Sequence, residues 1–167
     1  MSANLGRQQA TEKEKSVNEE NLEQQAVAVL RKYVLAATAT GAVPVPAVSA
    51  AIVAENALMV NHIGSVYGCE INIGTIVASI GLLGTANVIG RQVFIEAARL
   101  LSWGAAFTGA PVLVSAIGGG TAGLQTYLIG LVAIEIAKRG GEKLSRGAVT
   151  HIFRKGRGDF DDFQKAA

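Results

Sequence analysis

The chain is 167 residues long, half of them hydrophobic and 17% charged, with a mean hydropathy of +0.34. Soluble domains average about 25% charge, so this composition excludes a wholly disordered chain and leans toward lipid or an unusually buried interior. Cys69 is alone, which excludes an intrachain disulfide and a multi-cysteine zinc site, and a formal net charge of +2 singles out no class of partner.

Charge gathers at the two ends. Residues 1–32 carry ten charged side chains and residues 135–167 thirteen, against five between them: Glu55, Glu70, Arg91, Glu96 and Arg99. Residues 33–54, 71–90 and 100–134 contain no Asp, Glu, Lys or Arg. A bilayer-crossing helix needs about 20 mainly apolar residues, so these runs predict membrane segments. The first 25 residues hold no apolar core of the kind a cleavable leader requires.

Residues 1–15 read as a disordered polar tail. Ser16-Val17-Asn18-Glu19 has capping-box spacing and predicts a helix start. Leu22, Ala26, Val29, Leu30, Tyr33, Val34 and Ala37 then recur at three- and four-residue intervals, the mark of an amphipathic helix. Gly41, Pro44 and Pro46 end it. A second, apolar helix is expected over 47–67 and a third over 71–88, separated by Gly68-Cys69-Glu70. Residues 91–103 read as amphipathic, with Glu96 and Arg99 placed to pair, and 104–111 as a break. The last apolar helix runs to Lys138 and stops at Gly140-Gly141. Residues 140–167 read as a tail, basic and then acidic. The expected fold is all-α: a membrane-associated bundle of four to five helices over 16–139. It consists of an amphipathic N-terminal helix and two apolar hairpins, 47–90 and 92–138.

Small residues at four-residue spacing, Gly64 with Gly68, Ala86 with Gly90, and Gly119 with Gly123, suit close helix crossings of the kind that packs helices in lipid. Gly118-Gly119-Gly120-Thr121-Ala122-Gly123 also satisfies a dinucleotide fingerprint after the apolar run 112–117. No strands or ribose-binding acid follow, and the one later strand candidate is 148–153, so a helix crossing is the better reading. Glu55, His62 and Cys69 are spaced by seven but lack a second ligand cluster, so no metal is expected. Glu55, Asn56 and His62 form the candidate polar interior, since an ionisable group in an apolar segment usually faces a bundle interior. Lys138, Arg139, Arg154, Lys155 and Arg157 are candidates for contact with lipid headgroups or a partner. The basic run is short and lacks interleaved aromatics, which argues against nucleic acid. No nucleophile elbow or carboxylate pair is present, so neither enzymatic activity nor a cofactor is expected.

Ala36-Ala37-Thr38-Ala39-Thr40-Gly41-Ala42-Val43-Pro44-Val45-Pro46 precedes an apolar helix ending in Val66-Tyr67-Gly68, with Glu70 following. Together with Leu83-Gly84, Arg91 and the 118–130 helix, this stretch from Ala36 to Lys138 resembles the bacterial domain-of-unknown-function family 697. The resemblance implies an all-helical, membrane-associated domain, often fused to or encoded near small GTPases, without enzymatic activity. The function expected is a membrane scaffold or anchor that self-associates through glycine-rich faces and recruits a cytoplasmic protein. Two alternatives are a small oligomeric pore lined near Glu55 and His62 and a soluble helical module with a glycine-rich pocket. Basic residues flanking both ends of the apolar region place both termini in the cytoplasm by the positive-inside tendency.

Overall fold

The computed structural model describes residues 2–43, 48–81 and 111–166. Among them are five helices and no strand: α1 (Ser2–Gly41), α2 (Val48–Tyr67), α3 (Ile73–Gly81), α4 (Pro111–Lys138) and α5 (Arg146–Lys165). The all-α expectation therefore holds. Pro44, Pro46, Ala86, Gly90, the 91–103 segment and the break after it lie outside the described residues, as do parts of both expected hairpins.

Helices α1, α2 and α4 form the core. Ala26, Leu30, Val34 and Ala37 of α1 are buried along one stripe, as their spacing predicts. Helix α2 runs antiparallel to α1, because Tyr33 meets His62 while Thr40 meets Glu55. Helix α4 is antiparallel to α1 too: Leu30 lies over Gly130 and Thr38 over Gly119 and Gly123. Met59, Ile63, Val132, Ile136 and Leu30 close the centre with no solvent exposure. A fully buried side chain of this size contributes about 1.5–3 kcal/mol.

Two helix ends share one chemistry. Gly68 and Gly140, both at φ +67°, occupy the left-handed position that glycine adopts at least cost. After α2, Cys69 N–H bonds the Gly64 carbonyl at 3.0 Å and Gly68 N–H the Ser65 carbonyl at 3.2 Å. After α4, Gly141 N–H bonds the Ile136 carbonyl at 2.9 Å and Gly140 N–H the Ala137 carbonyl at 3.0 Å. Both are Schellman ends. At α3, the Asn72 side chain accepts from Gly74 N–H at 2.7 Å.

The two ends of the chain differ from expectation. Helix α1 starts at Ser2 rather than Ser16, so the expected tail is helical. Ser16 is no cap: its hydroxyl bonds the Lys13 carbonyl at 2.9 Å within the helix. Residues 12–20 are all exposed, so this part of α1 projects as a polar arm. The expected C-terminal tail contains α5, capped by the Ser145 side chain, which accepts from Ala148 N–H. The strand candidates 112–117 and 148–153 both lie in helices. Helix α5 packs on α4 through Gly156 and Phe160, with the Tyr127 ring tilted against Phe160 and Phe163 at 5.4 and 4.5 Å. Leu144 N–H bonds the buried Ser79 hydroxyl at 3.2 Å, tying the α4–α5 turn to α3.

Among the described residues one helix is long and apolar enough to cross a membrane, over Gly119–Lys138, yet 61% of that stretch is buried inside the protein. It packs against the four other described helices.

Candidate functional site

The proposed polar interior does not converge on one point. Glu55 faces α1, where Oε1 accepts from the Thr40 hydroxyl at 2.8 Å while Oε2 is buried without a partner. His62 is exposed, two turns further along α2. Its Nδ1 lies 2.8 Å from the Tyr33 hydroxyl, with the rings tilted at 5.7 Å. Asn56 is buried, with Oδ1 unpartnered, and on α4 Thr126 is fully buried with an unpartnered hydroxyl. Glu55 and Asn56 are neighbours in sequence and so point about 100° apart around the helix. Cys69 sits in the turn after α2, half-buried, with Sγ 3.9 Å from the Ala137 carbonyl. It shares no face with Glu55. Among the described residues no group of three potential metal ligands assembles.

The glycines divide by role. A Cβ on Gly64 would stand 2.5 Å from the Cys69 carbonyl, so Gly64 makes room for its own chain reversal. Gly68 caps α2. This pair therefore serves the turn rather than a helix crossing. Gly119 and Gly123 lie against Thr38 of α1, and Gly130 lies against Leu30. Gly119, Gly123 and Gly130 thus bring α1 and α4 together and are covered by α1. Gly156, which no sequence spacing singled out, does the same for α5: a Cβ there would meet Leu128 and Leu131 at 2.8 Å.

The basic candidates also separate. Lys138 pairs with Glu23 at 2.8 Å across the α1–α4 seam, and Arg139 pairs with Glu135 at 2.6 Å. Arg154, Lys155 and Arg157 are exposed on α5 and make no ion pair among the described residues. Arg31 lies over the Phe163 ring at 5.4 Å and pins the end of α5 to α1. Helix α5 carries Arg146 in its first turn and Asp161 and Asp162 toward its C-terminal end, where Lys165 is the base. The arginine and the two acids oppose the helix dipole, at about 0.3–1 kcal/mol for each charge near an end.

Near the α1–α4 seam, burial, Glu23 and Glu135 together push the Tyr67 phenol from 10.0 up to about 12, and its hydroxyl has no hydrogen-bond partner. The folded state thus holds this proton more tightly than the unfolded chain. The stability linked to it is intact below pH 10 and is lost as pH rises from 10 to 12. Tyr67→Phe is expected to remove that alkaline loss. Stability at neutral pH should stay level or rise, because an unbonded buried hydroxyl is deleted. Urea unfolding of both proteins across the alkaline range measures the difference.

Exposed apolar side chains, among them Leu35, Ala39, Val43, Val53 and Leu58, mark the outer surface of α1 and α2. All but Leu58 occupy the charge-free stretch that ends at Glu55. Helix α5 lies elsewhere, along α4, so its charged surface does not cover them.

A model of the family described as Domain of unknown function (DUF697) matches residues 5–155, a wider span than the 36–138 resemblance and one that takes in both α1 and the first half of α5. Neither the search of curated proteins nor that of solved structures found a match. With nearly the whole bundle covered by that family model, the chain belongs to the DUF697 family.

Proposed function

We propose that this chain is a non-enzymatic membrane-associated scaffold whose α1–α2 outer face lies in one leaflet. The water-facing surfaces of α5 and of the α1 arm are then free for a cytoplasmic partner. The observation that carries this reading is the exposed apolar group Leu35, Val43, Val53 and Leu58, from 47 to 67% exposed, in and beside the charge-free stretch 33–54. Large apolar side chains left exposed on neighbouring helices fit a membrane or protein contact, and the scarcity of charge favours lipid. Glu55, at the edge of this surface, has one oxygen occupied by Thr40. The apolar character of α4 adds support, although its own neighbours cover most of it. Self-association through Gly119 and Gly123 is not part of the proposal, because α1 occupies that face.

Flotation of the full chain with phosphatidylcholine vesicles tests the reading. Replacing Leu35, Val53 and Leu58 together by serine should weaken partitioning by at least about 100-fold, given roughly 1.5 kcal/mol or more for each apolar side chain buried. Replacing the exposed Ile73 and Val77 of α3 by serine should change it little. Wild-type protein that stays at the bottom of the gradient overturns the proposal, and equal losses in both variants overturn the chosen face.

A further inference from the structure

The amino-terminal turns of α5 bear an open groove of about 450 Å³ lined by Arg146, Gly147, Thr150, His151 and Arg154. Arg146, Thr150 and Arg154 are four residues apart and form a line along the helix, with His151 beside it. Gly147 leaves the backbone bare: nothing stands within 4 Å of the place a Cβ would take. The Thr150 hydroxyl is committed to the Arg146 carbonyl at 2.8 Å, so the available donors are the two guanidinium groups and the imidazole.

None of these three makes an ion pair among the described residues, whereas Lys138, Arg139 and Lys165 each have a carboxylate within 4.0 Å. Acids are not scarce on this helix. Asp159, Asp161 and Asp162 follow the groove on the same helix, and none of them pairs with its bases among the described residues. The helix dipole is positive at the groove end, so Arg146 in the first turn adds to its field instead of offsetting it. Two unpaired guanidinium forks on one open face of the helix match the geometry of phosphate oxygens. We infer that this groove binds a phosphate group, with Arg146 and Arg154 on its oxygens and the His151 ring at its edge.

The phosphate can belong to a lipid head or to a soluble molecule. As a lipid-head site the groove rests on the membrane reading above; as a soluble-phosphate site it does not. The experiment uses the full chain as wild type, R146Q/R154Q, and the control K155Q/K165Q, which removes equal charge outside the groove. Each is measured on phosphatidylcholine vesicles, on vesicles of equal parts phosphatidylcholine and phosphatidylglycerol, and by calorimetric titration with inorganic phosphate. For a lipid head, R146Q/R154Q weakens binding to the anionic vesicles by about 30-fold, at about a fivefold share for each basic side chain. Binding to neutral vesicles is then unchanged and the control loses far less. For a soluble phosphate, inorganic phosphate binds wild type and control but not R146Q/R154Q, whatever the vesicles show. Equal losses in the two variants, or no change in either assay, overturn the site. Failure of all three proteins on neutral vesicles counts against the membrane reading and leaves the phosphate titration to decide the groove.

Discussion

Leu30→Ala is expected to lower the free energy of unfolding by about 2–5 kcal/mol, the range for deleting a large side chain from a closed core. Leu30 has no exposed surface and lies on Gly130, so the lost methyl groups leave a hole where α1 crosses α4. The glycine opposite makes this a cycle rather than a single measurement. Gly130→Ala alone forces a Cβ onto the Leu30 methyl and should cost about 1–3 kcal/mol by overpacking. In the double variant the new methyl enters the space that Leu30 has vacated, so the combined loss should be smaller than the sum. Chemical denaturation of the four proteins gives the coupling directly. Strict additivity would show that α1 and α4 do not meet there.

Gly119 and Gly120 should respond in opposite directions to the same change. Both sit in α4, where alanine is favoured over glycine by about 1 kcal/mol. Around Gly120 nothing lies within 4 Å of the position a methyl would take, so Gly120→Ala should keep that gain. At Gly119 the methyl would stand 2.7 Å from the Thr38 carbonyl and 3.4 Å from the Ala42 Cβ. The first of these is backbone, which cannot rotate away, so α1 itself must shift. Gly119→Ala should therefore cost about 1–3 kcal/mol net. Thermal or urea unfolding of the two variants tests the sign, and a stabilised Gly119→Ala would mean that the crossing is looser than these distances.

The apolar helices were legible because their signals are local. An unbroken hydrophobic run and a glycine at its end suffice to place α2 and α4 and to stop them at Gly68 and Gly140. Residues 2–15 of α1 were missed because they have no apolar stripe to report a period; Lys15 reaches Glu19, one turn on in the expected helix, at 4.0 Å. Helix α5 had a readable pattern in Ser145 followed by Val149, Phe153, Gly156, Phe160 and Phe163. Its three glycines lower helix propensity, and one of them, Gly156, is required by the approach of Leu128 and Leu131. That requirement belongs to the packing against α4 and not to the segment itself. The polar candidates failed for the same reason. Spacing put Glu55 and His62 on one side of α2, but only the fold could show that each has its own partner on α1. Arg146 and His151 became a candidate pair only when the segment around them proved helical.

The projecting arm of α1 has a mechanical consequence. Residues 12–20 extend roughly 14 Å at the helical rise of 1.5 Å per residue, with no proline or glycine to act as a joint. Whatever grasps the arm thus holds a lever whose fulcrum is the glycine seam of α4. A sideways pull at its tip is delivered as torque on Leu30 and Thr38 instead of being absorbed on the way.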